Sequence, residues 1–318
     1  MSLYVEDAAL IMSVQDSGRT GYQRFGMPVS GPMDWRAYRS ANLLAGNSGG
    51  SACIEIGFSS CQVIVERDTL LSVCGAGFNL SVNGRDLPMW TAAIVKSGDI
   101  LRLEKIDGGN WVYLAVAGGF ETPVWLDSRS VFPRAGLGHL LTAGDRLPVS
   151  GLPDQKRLLA GRSLPFTERP AYSQNPTIRV IPGPHQDRFT AEAFETFISE
   201  GYRLSHQSDR MGYRLMGKPL VHKHGADLVS QGMALGQIQV PADGQPIVMM
   251  PDHPTTGGYT SIGTIARADL PLLAQAQPER SVVRFKPVDT TTAAQELLRT
   301  NQSFSADIFS QEDSWLGL

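Results

Sequence analysis

Along the first half of the chain, apolar positions come in short runs broken by turn residues. Residues 61–67 and 69–74 are β-branched and apolar, Phe78, Leu80 and Val82 alternate with polar neighbours, and Asn83-Gly84 follows. That pair suits a two-residue type I′ turn, so the spacing predicts a hairpin. Residues 93–96, the turn Ser97-Gly98-Asp99 and residues 100–105 repeat the pattern, and Asp107-Gly108-Gly109 leads into residues 111–117. Strands this close, each closed by a turn signal, predict an antiparallel barrel or sandwich. One helix interrupts them. Asp34 can cap it, Tyr38, Ala41 and Leu44 with Ala45 form its apolar stripe, and Gly46-Asn47 ends it.

Residues 151–176 hold four prolines and weak periodicity, the character of a connector. Beyond it, residues 178–181 predict a strand ended by Pro182-Gly183-Pro184. A helix follows with Phe194, Phe197 and Ile198 on one face. Residues 237–240 and 247–250 predict further strands, Asp269 with Pro271 a helix start, and residues 281–286 a last strand. Thr292 with Gln295 fits a capping box for a C-terminal helix. The expected division is therefore an N-terminal β domain over 1–150, a connector over 151–176, a second β domain over 177–290 and a helical tail over 291–318. Phe304, Ile308, Phe309, Trp315 and Leu316 in that tail are expected to fold back onto the chain's own barrel, or else to form a partner surface.

Composition narrows the function. In 318 residues there are 28 Lys and Arg against 31 Asp and Glu, a net charge of −3. No broad basic field favours nucleic acid or an anionic membrane. The 33 glycines and 20 prolines agree with many short strands. Glu6 and Asp7 break any apolar run near the start, so no signal peptide is expected, and no stretch is long and apolar enough to span a membrane. Cys53, Cys61 and Cys74 are odd in number and none forms CxxC, which fits core thiols of a cytoplasmic protein.

Four polar, glycine-rich segments are not needed for a core. Gln15-Asp16-Ser17-Gly18-Arg19-Thr20-Gly21-Tyr22-Gln23 gathers an acid, a guanidinium, two amides and a phenol; Arg19 can fork onto a carboxylate, or pair with Asp16 to brace a turn. Ser30-Gly31-Pro32-Met33-Asp34 leaves Ser30 beside a helix N-terminus, a place that suits an anion. Residues 208–215 carry Arg210 and Arg214 beside Gly212 and Tyr213. Asp252-His253-Pro254-Thr255-Thr256-Gly257-Gly258-Tyr259 follows an apolar strand as a loop rich in hydrogen-bonding groups, where His253 and Asp252 are candidates for proton transfer. The chain has no GxxxxGK[ST], GxSxG or HExxH motif. His222 and His224 lack a third ligand at convincing spacing, so no metal site is expected.

Taken together, the first two segments with residues 41–47 and Ile54-Glu55-Ile56, then residues 210–215, Gly236-Gln237-Ile238-Gln239-Val240-Pro241, Gly244-Gln245-Pro246-Ile247 and residues 252–259, resemble the signatures of the biotin-dependent carboxyltransferase-like family. This is the allophanate hydrolase subunit 2 or KipA type, which includes the C subunit of 5-oxoprolinase. The match runs in order from about residue 3 to residue 287. It departs at Pro254, Thr260 and Gln231, where Gln, Pro and Glu are common.

The resemblance implies a mainly β protein with a few short helices, built as two cyclophilin-like β-barrel halves. It implies work beside a subunit 1 (KipI-type) protein and the A subunit of 5-oxoprolinase, in a complex that opens 5-oxoproline to glutamate with ATP. Other relatives transfer carboxyl to urea or antagonise a KipI-type inhibitor. This chain carries no biotinyl motif and no ATP-grasp loop. ATP use therefore belongs to the complex, biotin in the urea reading sits on a separate chain, and this chain alone is expected to bind no cofactor. Asp252, His253 and Asp16 are the expected catalytic residues. Gln15, Arg19, Tyr22, Ser30, Arg210, Tyr213, Gln237, Thr255, Thr256, Gly257, Gly258 and Tyr259 are expected to bind the substrate, with Arg19 or Arg210 on its carboxylate.

Overall fold

A computed structural model describes residues 2–302, 304, 310 and 311. It is mainly β with short helices and divides into two compact units. One comprises residues 2–19 and Ser30–Pro170, together with Phe304 and residues 310–311; the other comprises Thr20–Val29 and residues 171–302.

In the first unit the strands are β1 (Ser2–Asp7), β2 (Ile11–Gln15), β3 (Cys53–Gly57), β4 (Cys61–Val65), β5 (Thr69–Gly75), β6 (Phe78–Val82), β7 (Arg85–Leu87), β8 (Ala92–Val95), β9 (Ile100–Lys105), β10 (Trp111–Val116) and β11 (Arg146–Pro148). They form a six-stranded sheet, β11-β1-β4-β9-β6-β7, and a five-stranded sheet, β2-β3-β10-β5-β8. One apolar core joins them: Leu3, Val63, Leu101 and Leu103 from the first meet Met12, Ile54, Val73 and Leu114 from the second. The Asn83-Gly84 hairpin forms as expected, with φ of 50° and 77°. The turn at residues 97–99 does not make a hairpin. β8 pairs with β5 and β9 with β4 and β6, so the chain switches sheets there.

The five-stranded sheet is buried on both faces because α1 (Trp35–Leu44) lies across β5 and β10. Alternation then puts Glu55, Ser72 and Tyr113 under the helix, and Ser13 and Gln15 on the same face of the sheet, opposite the apolar core. Asp34 caps α1, its Oδ1 accepting from the amides of Arg36 (3.1 Å) and Ala37 (3.0 Å). Asp34→Ala is expected to cost about 1 kcal/mol of stability, read from chemical denaturation.

The connector divides differently from the sequence expectation. Its first part docks on the first unit through the short α2 (Asp154–Arg157) and β12 (Arg162–Ser163). The Gly161 amide donates to the Ala92 carbonyl (2.9 Å) and that of Leu164 to Trp90 (3.0 Å), so the break falls after Pro170.

The second unit is a closed barrel. Its strands are β13 (Thr177–Pro182), β14 (Tyr202–Leu204), β15 (Gly212–Met216), β17 (Gln237–Gln239), β18 (Ile247–Met249), β20 (Ser261–Ile265) and β21 (Val282–Pro287), with β16 (Asp227–Gly232) and β19 (Thr256–Tyr259) as a separate pair. Parallel pairing of β21 with β13 closes the ring β13-β20-β17-β18-β15-β14-β21. The helix α3 (Ala191–Ser199) packs on β21, where Phe197 stacks on Phe285 at 4.5 Å. The short α4 (Leu270–Ala274) follows Asp269 as expected.

The C-terminal helix, α5 (Thr290–Gln302), starts earlier than the Thr292 box predicts. Asp289 is its anchor, accepting from the Thr292 amide (2.9 Å) and hydroxyl (2.7 Å). The tail is not helical throughout: β22 (Ser310–Gln311) pairs with β12, whose edge offers free backbone groups. Phe304 packs in the first unit, 5.9 Å from the Trp35 ring and 4.5 Å from the Arg39 guanidinium. Ile308, Phe309, Trp315 and Leu316 lie outside the described residues. No described helix is long and apolar enough to cross a membrane.

Candidate functional site

In the first unit, β2 ends at Gln15 and the chain turns into the first polar segment. The Asp16 carboxylate is filled by donors: Oδ1 accepts from Ser128 Oγ (2.6 Å), Ser130 Oγ (2.7 Å) and the Gly18 amide (2.9 Å), and Oδ2 from the Arg129 amide (2.6 Å). This anion bolts residues 16–18 to residues 128–130. Asp16, expected to be catalytic, has its carboxylate occupied by these internal donors. Arg19 is fully buried; its guanidinium donates to Ser30 Oγ (2.9 Å) and the Ser130 carbonyl. Those bonds are internal, so Arg19 and Ser30 hold the two polar segments together rather than present an exposed fork. Gly31 sits at φ 88°, and a Cβ there would lie 3.3 Å from the Asp16 carbonyl oxygen. Gln15 is buried, donating to Ser13 Oγ (3.0 Å) and the Val131 carbonyl (3.3 Å), while its Oε1 is buried with no hydrogen-bond partner among the described residues. Tyr22 falls in the Thr20–Val29 stretch of the second unit.

A buried acid beneath α1 escaped the sequence reading. Glu55 Oε2 accepts from the Met33 amide (2.8 Å) and the Tyr113 hydroxyl (2.7 Å), and that hydroxyl accepts from the Asp34 amide (2.7 Å). Burial, reinforced by the Glu55 charge, raises the Tyr113 phenol well above its ordinary range, so it stays a donor. Glu55 between two isoleucines was the available signal: an acid inside an apolar strand needs a built partner set. The cysteines are free and buried, and burial pushes Cys61 up to about 12.

In the second unit, Arg210 and Asp252 find each other. Arg210 Nε donates to Asp252 Oδ2 (2.8 Å) and a terminal nitrogen to Oδ1 (3.2 Å), while the Asp252 amide donates to the Arg210 carbonyl (2.9 Å). Both side chains are nearly buried. This two-point pair fastens the turn after β18 to the loop before β15. Asp252, expected with His253 as a proton-handling candidate, and Arg210, expected with Arg19 as a candidate for a ligand carboxylate, are thus paired with each other. Tyr213 is likewise committed: it points into the barrel and its hydroxyl donates to the Ala274 carbonyl (3.0 Å).

His253 stands next in the chain and is buried. Its Nδ1 lies 2.7 Å from the Pro254 carbonyl oxygen. A carbonyl only accepts, so Nδ1 carries the proton and the neutral ring keeps a lone pair on Nε2. Burial holds the imidazole below 6.5, against the opposing pull of that carbonyl and of Asp252. The ring is expected to be neutral at pH 7 in the Nδ1–H form, checked by imidazole NMR; a midpoint above 6.5 would contradict this. The sign follows from linkage. The folded chain takes this proton at lower pH than the unfolded chain, so stability is higher above 6.5 and falls as pH drops from there through the folded value.

The residues after His253 are not a free loop. Thr256 to Tyr259 form β19, which pairs with β16, and the Thr255 carbonyl accepts from the Met233 amide (2.9 Å). Glycine is needed at 257 and 258 for closeness. A Cβ on Gly258 would lie 2.9 Å from the Leu228 carbonyl oxygen, and one on Gly257 would press on Met233 Sδ and lie 2.7 Å from Gln239 Nε2. Thr256 and Tyr259 are exposed. Gln237 Oε1 accepts from the Ala234 amide (3.1 Å), bracing the turn before β17. His222 Nε2 is engaged by the Val240 carbonyl (3.1 Å) and Thr260 Oγ1 (2.9 Å). Among the described residues no three His, Cys, Asp or Glu side chains gather as a metal site.

Comparison with known proteins places this arrangement. Residues 25–287 match the family model of the carboxyltransferase domain, subdomain A and B. The chain is 37% identical to the C subunit of 5-oxoprolinase from Escherichia coli strain K12 over 275 residues, covering 84% of this chain and 86% of that one. It is 31% identical to the corresponding C subunit of 5-oxoprolinase from Haemophilus influenzae over 296 residues, covering 92% and 93%. The solved urea amidolyase of Kluyveromyces lactis superposes with a TM-score of 0.88 at 28% identity, covering 98% of this chain. This chain spans only 20% of that amidolyase, and 55% of another solved chain it matches. By the family model and by relatives matched along most of their length, the chain belongs to the carboxyltransferase domain (subdomain A and B) family.

Proposed function

We propose that this chain is one component of an ATP-dependent complex of the 5-oxoprolinase type, which hydrolyses the cyclic amide of 5-oxoproline to glutamate, and that it is inactive alone. The observation that carries this reading is the two-way coverage with the C subunit of 5-oxoprolinase: 84% of this chain against 86% of that one, a likeness along most of both. The partners in this reading are a subunit 1 (KipI-type) protein and the A subunit of 5-oxoprolinase, which supply ATP chemistry for which this chain has no phosphate loop.

His253 is the proton-handling residue. A neutral imidazole with Nδ1–H tied to a carbonyl presents Nε2 as a base for an attacking water or an acid for the departing amide nitrogen. Arg210 and Asp252 fix the turn that carries it. The test is reconstitution: a tagged chain is expected to co-purify with the two partners as one species that couples ATP cleavage to glutamate formation. Failure to form that species contradicts the reading.

The likeness to urea amidolyase along 98% of this chain favours a second reading, carboxyl transfer to urea or a related amide from a biotin carrier on a separate chain. Urea carboxylation with a supplied carboxybiotin carrier would select it.

A further inference from the structure

The two sheets of the first unit leave a seam open where β7 ends one and β8 ends the other. Between these edge strands lies a cavity of about 340 Å³. Its floor is apolar: Leu87 and Val95 belong to the core, and Val82 and Ala93 pack against it. Its mouth is cationic. Arg85, on the Leu87 side of β7, and Lys96, just past the end of β8, line the cavity and are exposed. Neither side chain has a hydrogen-bond or ion-pair partner among the described residues. Asp86 alternates to the opposite face of β7. Asp99, the one acid in the lining, is already engaged: Oδ1 accepts from Asn83 Nδ2 (2.8 Å) and Oδ2 from the Lys96 amide (2.7 Å).

The cavity also reaches a free strand edge. β8 pairs with β5 on one side, and the Ala92 carbonyl, turned the other way, accepts from the Gly161 amide of the connector (2.9 Å). Backbone groups two residues apart in a strand point the same way, so the amide and carbonyl of Ile94 also face away from β5. Ile94 lines the cavity, and no described residue pairs with that edge there. A small carboxylate would answer the cations and leave the edge bare; a neutral strand would answer the edge and leave the cations bare. We infer that this seam is a docking site for an extended segment of a partner protein that alternates apolar and acidic side chains. The segment adds to β8 at Ile94 as a further strand, sinks its apolar side chains between Leu87 and Val95, and sets its carboxylates on Arg85 and Lys96.

Fluorescence anisotropy on the full chain tests this with a labelled hexapeptide of alternating valine and glutamate. The expected result is saturable binding that weakens as salt is raised. Replacing its glutamates with lysines, N-methylating its amides, or placing Arg85→Glu and Lys96→Glu together in the chain is each expected to weaken binding at least roughly tenfold. Both substituted residues are exposed, so that variant is expected to keep the wild-type Tm. Hydrogen exchange at the Ile94 amide is expected to slow when the peptide is bound. No binding by the wild type overturns the inference and leaves Arg85 and Lys96 as guards of a bare edge. Equal binding of the N-methylated peptide, equal binding by the doubly substituted chain, or unchanged exchange at Ile94 overturns it as well. Two further results would overturn the choice of occupant: hexanoate that displaces the peptide with equal affinity assigns the cavity to a small carboxylate, and binding that appears only after residues 312–318 are removed assigns it to the chain's own tail.

Discussion

Asp252→Ala is expected to lower the stability of the second unit by about 3–5 kcal/mol, because it removes the two-point carboxylate partner of the nearly buried Arg210 guanidinium. The pair is 42 residues apart in sequence and joins two loops at one point, with a backbone bond beside it. Arg210→Leu in the same chain is expected to recover much of that loss, since removing both charges leaves nothing uncompensated. Urea denaturation of the two single variants and the double variant measures the coupling directly. A stability-neutral Asp252→Ala would mean that the carboxylate is free for chemistry, and would return it to the role its position beside His253 suggests from sequence.

His253→Gln is expected to lower turnover of the assembled complex by about 10²–10⁴-fold, the usual contribution of a positioned acid or base. Gln keeps a polar side chain of similar reach, so association with the KipI-type partner and the A subunit of 5-oxoprolinase is expected to survive. This separates a catalytic component from a regulatory module that merely sequesters a KipI-type partner: for such a module His253→Gln leaves complex activity unchanged. Steady-state rates on complexes of verified composition decide between them.

What the sequence made legible was local. Asn83-Gly84 makes its hairpin because the turn's backbone angles depend on those two residues, and Asp34 caps α1 because the amides it serves lie two and three residues on. The turn at residues 97–99 was equally clear as a turn, yet the strands it joins belong to different sheets, a choice made by the core and not by the turn. The polar side chains were found by type, and their partners were not legible, for the same reason. Asp16 meets Ser130 across 114 residues, and nothing near Asp16 announces that its charge is already answered. Thr255 to Tyr259 read as a loop of hydrogen-bonding groups, whereas the two glycines admit the close approach of β16, Met233 and Gln239.

The most direct measurement is ATP-dependent release of glutamate from 5-oxoproline by the partner proteins, with this chain added or withheld at matched concentrations. The expected result is release only when the chain is present, restored by wild-type chain and not by His253→Gln. Undiminished release without the chain would contradict its place in the reaction.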